Sequence, residues 1–276
     1  MSSTWVVLDF SGTLSLQATL FGQEQNLIRE LQISGLWRLG VRDIDFFWSE
    51  IVAPTWQEGS TTRKGYKRVL AERLQELGLG ANEDERLAAA ERFVDRYLAY
   101  STIDPAWGAT LRRLQRHPAV RVIVATDHYA EATTHILGQL AALGVEAAPA
   151  GTAELGRAVL VANSADVGHH KASRLFWETL RALQNMEPAA LLLIDDFGAN
   201  ENPLDRYAEP ARVKARQSQT VELLGSVFTA RIAVLAFLLG TRPESRLPAD
   251  QEELERHYRA LIRDAEQFLF DHLKGV

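Results

Sequence analysis

Asp9 ends a short apolar run, Trp5-Val6-Val7-Leu8, and opens the segment Phe10-Ser11-Gly12-Thr13-Leu14. An apolar run that breaks into glycine reads as a buried strand handing its last side chain to a loop. Thr126 and Asp127 stand in the same way after Val120-Arg121-Val122-Ile123-Val124-Ala125. Asp195 and Asp196 follow Leu191-Leu192-Leu193-Ile194. Lys171 follows the loop Gly168-His169-His170 and is expected to start a helix over 171–183. Several carboxylates, a hydroxyl and one lysine suit the joint binding of Mg2+ and a phosphoryl group. Mg2+ takes oxygen ligands and shares itself between carboxylates, water and phosphate, while lysine meets the anion as a point charge. The position two after Asp9, where a second acid would be the natural partner, holds Ser11.

Parallel strands would bring these groups to one edge of a sheet, where ligands of open α/β folds bind. The spacing predicts strands at 5–9, 120–125, 159–161, 191–194 and 230–237. Helices are expected at 107–116, 130–143 (ending at Gly144), 171–183 and 249–273. Alternation of the two implies a doubly wound parallel sheet. Between the first strand and the rest, residues 18–101 read as wholly helical. Tyr66, Val69, Leu70, Leu74 and Leu77 share one face there, and Asn82 is the expected N-cap of the following helix. The expected organisation is an α/β core from 1–17 and 102–276 with an all-helical insertion at 18–101.

The 276 residues carry a net charge of −6, with 46% hydrophobic and 24% charged residues. That is ordinary globular usage and lacks the basic balance of a nucleic-acid binder. The absence of cysteine removes disulfides, thiolate metal sites and cysteine nucleophiles, and fits a cytoplasmic protein. No signal peptide is read at the N-terminus. The longest apolar stretch, Ile232 to Gly240, falls short of the about 20 residues that span a bilayer, so no membrane partner is expected.

The ordered set of motifs resembles the haloacid dehalogenase (HAD) superfamily, most of whose members are phosphatases. The family's first motif, Asp-x-Asp-Gly-Thr after a strand, matches Asp9-Phe10-Ser11-Gly12-Thr13 except at Ser11. Its strand ending in Ser or Thr matches Thr126, its lysine matches Lys171, and its terminal pair of acids matches Asp195-Asp196. The interval of 24 from Lys171 to Asp195 is typical of members with a helical cap, and the block at 18–101 lies where such a cap is inserted.

The resemblance implies a Rossmann-like core and a Mg2+-dependent hydrolase of a small phosphorylated metabolite. Asp9 would be the nucleophile, forming an aspartyl-phosphate. Asp9, the Ser11 carbonyl, Asp195 and Asp196 would hold Mg2+. Ser11, Gly12, Thr13, Thr126, Asp127 and Lys171 would hold the phosphoryl group. In the family's phosphatases the second aspartate protonates the leaving oxygen, and Ser11 cannot. Three readings follow: a substrate with a good leaving group, another acid such as His128, or a long-lived aspartyl-phosphate in a weakly active, ligand-binding protein. Members with a non-acid at this position include phosphonate-cleaving and carbon–halogen hydrolases. A phosphonatase would need a cap lysine, for which Lys64 and Lys67 stand in the right block.

Other residues carry plainer expectations. Arg63, Lys64, Lys67 and Arg68 read as a solvated helix face. His169 and His170 read as surface loop histidines. Trp37, Trp48 and Trp56 read as the core of the helical block, and Asn200 and Asn202 as residues ordering the loop after Asp196.

Overall fold

The computed structural model describes residues 3–152, 156–200, 210–239 and 251–274. Six strands form one all-parallel sheet: β1 (Ser3–Leu8), β2 (Val120–Thr126), β3 (Ala147–Pro149), β4 (Val159–Asn163), β5 (Pro188–Asp195) and β6 (Arg231–Ala236). Their spatial order is β3-β4-β2-β1-β5-β6. Successive residues of β1 serve opposite faces, as the pleat requires. Val6 and Leu8 join Val122, Val124, Leu192 and Ile194 in one core cluster. Trp5 and Val7 join Ile123, Ala125, Leu191 and Leu193 in the other. Both faces of the sheet are therefore buried, which is why these strands read as continuous apolar runs.

The first face is covered by helices from across the chain. Eight lie between β1 and β2: α1 (Leu16–Phe21), α2 (Glu24–Ser34), α3 (Leu36–Leu39), α4 (Ile44–Phe46), α5 (Ala53–Thr61), α6 (Tyr66–Glu76), α7 (Glu83–Tyr100) and α8 (Trp107–Arg116). A π-helical turn, Phe47–Val52, joins α4 to α5. α9 (Glu131–Ala142) follows β2, while the short α10 (Ser164–Val167) follows β4 and packs Val167 toward the second face. The second face is covered by α11 (Arg174–Gln184) and α12 (Pro210–Val227), through Phe176, Trp177, Leu180, Val213, Leu224 and Val227. The last helix, α13 (Gln251–Leu273), returns to the first face and buries Leu254, Tyr258, Ile262 and Leu269. No described helix is long and apolar enough to cross a membrane.

The expected elements form with small shifts of boundary, and Asn82 caps α7 by accepting the Glu85 N–H at 2.9 Å. Lys171 does not begin a helix. Ser173 is the N-cap, accepting from Leu175 N at 3.3 Å, so α11 starts at Arg174 and Lys171 stands in the turn before it. Two elements escape the sequence pattern. β3 is three residues long and ends in proline, and the buried Val213, Leu224 and Val227 of α12 are too widely spaced to form a stripe.

Candidate active site

β1 lies between β2 and β5, with Leu8 in register with Val124 on one side and Ile194 on the other. The chain lays β2 beside β1, passes to β3 at the edge, fills in β4 between them, and then crosses back to lay β5 on the other side of β1. The crevice at the carboxyl end of β1 is therefore the topological switch point, where ligands of such sheets bind. Asp9 stands there, its N–H donating to Ile194 O at 3.0 Å. Thr126 ends β2 and Asp195 ends β5, so three strand ends converge.

The loop after Asp9 is a tight turn. Ser15 N donates to Phe10 O at 2.8 Å and Gly12 N to Ser15 O at 2.9 Å. Gly12 has φ +75°, and a Cβ there would lie 2.4 Å from Asp196 Oδ2, so only glycine fits. The Thr13 carbonyl accepts from Trp107 Nε1 at 3.2 Å and from the Tyr258 hydroxyl at 2.7 Å. Helices α8 and α13 thereby pin the turn from beneath.

Asp9, Asp195 and Asp196 are all buried, and one carboxylate oxygen from each lies within 4.8 Å of the others. Lys171 Nζ donates to Asp9 Oδ1 and, at 3.0 Å, to Asp195 Oδ2. Asp127 Oδ1 accepts the Lys171 backbone N–H at 2.7 Å, and Trp177 Nε1 donates to the Lys171 carbonyl at 2.8 Å, which fixes the base of the lysine. Asp195 Oδ1 accepts from Phe197 N at 2.7 Å. Asp196 accepts from Gly198 N at 2.9 Å and from Asn200 N at 3.0 Å. This wrapping needs left-handed backbone at Phe197 (φ +53°) and Gly198 (φ +74°). A non-glycine residue in that region is a strain that surrounding structure must hold, and it sits beside the acids. Asn200 ties the loops together, donating to Gly12 O at 2.9 Å and Phe237 O at 2.8 Å and accepting from Leu239 N at 2.9 Å. Asn202 lies outside the described residues.

Burial holds the Asp9 carboxyl well above its ordinary range. Lys171 pulls it down, but Asp195 and Asp196 push it further up. Burial likewise raises Asp127 against the pull of Lys171. The donor set is oxygen only, and one lysine faces three clustered acids. Such a set suits a hard divalent cation.

Above these groups opens a cavity of about 830 Å³. Asp9, Ser11, Thr126, Asp127, Lys171, Asp195 and Asp196 line its floor. Its walls come largely from the helical block, with Phe47, Trp48, Val52 and Trp56 from one continuous stretch. The π-helical turn lies in that stretch, and such turns often mark functional sites. Pro54 cannot donate to Glu50 O, and Arg73 Nε takes that carbonyl at 2.6 Å.

Several expectations are corrected. Gly12 and Thr13, expected to bind phosphate, do not line the cavity. Their N–H groups are spent inside the turn, on Ser15 O and Phe10 O, and Thr13 is fully buried. Trp56 lines the cavity; Trp37 and Trp48 pack against the core as expected, and Trp48 lines the cavity as well. His170 is no free loop histidine: Nε2 meets Ser60 Oγ at 2.6 Å and its ring stacks on Trp56. His128 cannot replace the missing acid. Its Nδ1 accepts from Tyr129 N at 2.8 Å, which leaves the proton on Nε2, 3.0 Å from the Tyr97 hydroxyl. Burial pushes the imidazole down to about 3, so it is neutral. The basic cluster is a solvated face, as expected: Lys64 pairs with Glu58 and Glu72, Lys67 with Asp95, Arg68 with Glu72 and Arg63 with Asp166. The aromatic wall, with Phe93 and Tyr97 of α7, escaped the sequence reading, because core and cavity faces of a helix carry the same residue types.

The parallel order β3-β4-β2-β1-β5-β6, with helices inserted directly after β1 and acids at the ends of β1 and β5, decides the architecture. It is a six-stranded all-parallel α/β core with a helical block inserted after its first strand. No protein-family model and no curated protein matches the chain. Among solved structures the chain is similar to a predicted HAD-like family hydrolase from Porphyromonas gingivalis, 16% identical over 85% of this chain and 91% of that one, TM-score 0.48. It is similar to a HAD family enzyme from Bacteroides thetaiotaomicron, 11% identical over 93% and 100%, TM-score 0.47. It is also similar to a 2-haloacid dehalogenase from Pseudomonas syringae pv. Tomato, 19% identical over 78% and 99%, TM-score 0.45. In this sheet the residues at the ends of β1, β2 and β5, Asp9, Thr126 and Asp195, face a common crevice.

Proposed function

We propose that this chain is a Mg2+-dependent phosphatase of a small phosphorylated metabolite, with Asp9 as its nucleophile. The observation that carries this reading is the buried cluster of Asp9, Asp195 and Asp196, with Lys171 Nζ against two of them. Asp9, Asp195, Asp196 and the Ser11 carbonyl would hold Mg2+, which supplies neutralisation of phosphoryl charge so that a carboxylate can approach. Thr126 and Lys171 hold the phosphoryl oxygens, and Asp127 fixes the loop that carries the lysine.

An Asp9 carboxylate oxygen attacks phosphorus, the bond from phosphorus to the leaving oxygen breaks, and that oxygen departs with the electron pair. Lys171 stabilises the charge that develops between nucleophile and phosphoryl group. Water then releases phosphate and restores Asp9. The helical block, taken as a cap over 18–101, shields the phosphoryl step from bulk water. Phosphate release over a panel of phosphomonoesters, with and without Mg2+, tests the reading. Asp9→Asn should abolish turnover with the fold retained, and undiminished activity in that variant would remove Asp9 as nucleophile.

A second reading is a carbon–halogen hydrolase, also served by an Asp9 nucleophile. Ser11 favours it, because halide leaves without a proton; the metal-suited acid cluster weighs against it. Halide release from 2-haloacids, indifferent to chelator, would establish it over the phosphatase. The phosphonatase alternative loses its amine, since Lys64 and Lys67 are paired with acids away from the cavity. A ligand-binding protein without turnover remains the outcome if Asp9 is phosphorylated and never released.

A further inference from the structure

We infer that the substrate is an aryl phosphate: an uncharged, fused-ring aromatic group whose phenolic oxygen carries the phosphoryl group. This rests on the phosphatase reading and names the substrate class of the same site. Two independent observations meet in it.

The first is the character of the cavity. Its about 830 Å³ lies within the roughly 300–1,000 Å³ of pockets that enclose drug-sized ligands, far more than a phosphoryl group needs. Away from the acidic floor its walls carry Phe47, Trp48, Trp56, Phe93, Tyr97 and Tyr129. Among the described residues that line it, Lys171 is the only lysine or arginine, and that side chain is engaged at the floor with Asp9 and Asp195. A nucleotide, a sugar bisphosphate or any substrate with a second anion would find no partner for it. The exposed Asp45 carboxylate on the lining would repel such a group. A sugar would press several hydroxyls on the apolar faces of these rings, where scattered polar groups such as the Trp48 indole N–H are too few to meet them all, at roughly 1–3 kcal/mol for each group left unsatisfied. An aromatic group instead gains buried apolar area and ring–ring contacts.

The second observation is the chemistry at Ser11. This side chain lines the floor beside Asp9 and has no proton to give at neutral pH. The nearby His128 is neutral, with Nδ1 taken by Tyr129 N and Nε2 on Tyr97. An alkyl leaving group would depart as an alkoxide with basicity near that of hydroxide, far stronger than phenolate. A phenol ionises near 10, as tyrosine does. Phenolate can therefore leave unprotonated, and it can take the proton of the water that later attacks the aspartyl-phosphate. In balance, the aryl phosphate and water give phenol and phosphate, with Asp9 regenerated.

The test is a pair matched in size and apolar area: 2-naphthyl phosphate and 2-naphthylmethyl phosphate, assayed on the full chain with Mg2+. General acid catalysis is worth roughly 10²–10⁴-fold, so kcat/KM should favour the phenolic member by at least about 10². Ser11→Asp should narrow that ratio about 10-fold or more by raising turnover of the naphthylmethyl ester. Trp56→Ala should lower kcat/KM for 2-naphthyl phosphate relative to acetyl phosphate, a small substrate with a good leaving group. Equal rates on the matched pair would overturn the phenolic leaving group, and better turnover of glucose 6-phosphate would overturn the aromatic class, both leaving a phosphatase in place. Release from no ester, with no phosphate mass on Asp9, would instead sink the phosphatase reading beneath it. The wild-type comparison decides without any variant having to fold.

Discussion

Lys171→Met removes the one lysine that faces the three acids, and its effect on stability can be worked from the geometry. Lys171 Nζ lies 3.0 Å from Asp195 Oδ2 and is bonded to Asp9, while the carboxylate oxygens of Asp9, Asp195 and Asp196 lie within 4.8 Å of one another. At an effective dielectric of about 20, a unit pair at 3 Å attracts by about 5 kcal/mol and a like pair near 5 Å repels by about 3 kcal/mol. The variant keeps the repulsions and loses the attractions. Proton uptake by Asp9 limits the loss, so a net destabilisation of about 3 kcal/mol is expected at pH 8 in chelator, within the range for stripping one partner from a buried pair.

The sign of the pH dependence follows from Asp9. Its folded-state carboxyl titrates well above its ordinary value. The folded state thus holds a proton that the unfolded chain has already released, and stability falls as pH rises through that interval. Without Lys171 the interval widens, so the difference between variant and wild type should grow from pH 5 to pH 8. Mg2+ should raise the variant's Tm more than the wild type's, because it binds a more negative site, with about 2.7 kcal/mol gained at a hundredfold excess over Kd. Thermal unfolding followed by circular dichroism at both pH values, with EDTA or Mg2+, measures this. Equal Tm values for the two proteins at pH 8 in EDTA would refute the electrostatic account of the site.

Gly12→Ala forces a left-handed alanine whose Cβ sits 2.4 Å from Asp196 Oδ2, so a loss of about 2–4 kcal/mol in urea unfolding is expected, with weakened Mg2+ binding. Glu131 accepts from Tyr66 N at 3.0 Å and Lys67 N at 3.1 Å, capping α6 where the N-cap Gly65 has no side chain. Glu131→Ala should cost about 1–2 kcal/mol and speed hydrogen exchange of the first α6 amides; unchanged exchange would mean that Glu131 is no cap. For Glu30, burial alone would raise the carboxyl, but hydrogen bonds and charge from Arg96 outweigh it and hold it below the ordinary range. Arg96→Met should cost about 2 kcal/mol at neutral pH, a difference that shrinks as pH falls and Glu30 protonates in both proteins, read from denaturant midpoints across the acid range.

The floor of the site was legible in the sequence because each of its residues ends or follows a strand. Buried parallel strands are continuous apolar runs, and a run of that kind announces its own end. Asp9, Thr126 and Asp195 stand at such ends, and their order along the chain is the order of the motifs. Even there the sequence misjudged roles that depend on backbone direction. The Gly12 and Thr13 amides turn inward, and Lys171 precedes α11 rather than starting it, because Ser173 is the better cap.

What the sequence by itself determined is the alternation of strands and helices, the acids at the strand ends and the serine beside Asp9. Those follow from local periodicity and residue type. Only the tertiary structure decided that Lys171 meets Asp9 across 162 positions, that His128 is neutral and locked, and that Trp48 and Trp56 face a cavity. An apolar helix face buries itself against whatever lies opposite, and nothing in the pattern tells a core from the wall of a pocket. That distinction is set by where the helical block comes to rest over the sheet edge, and with it the choice of substrate.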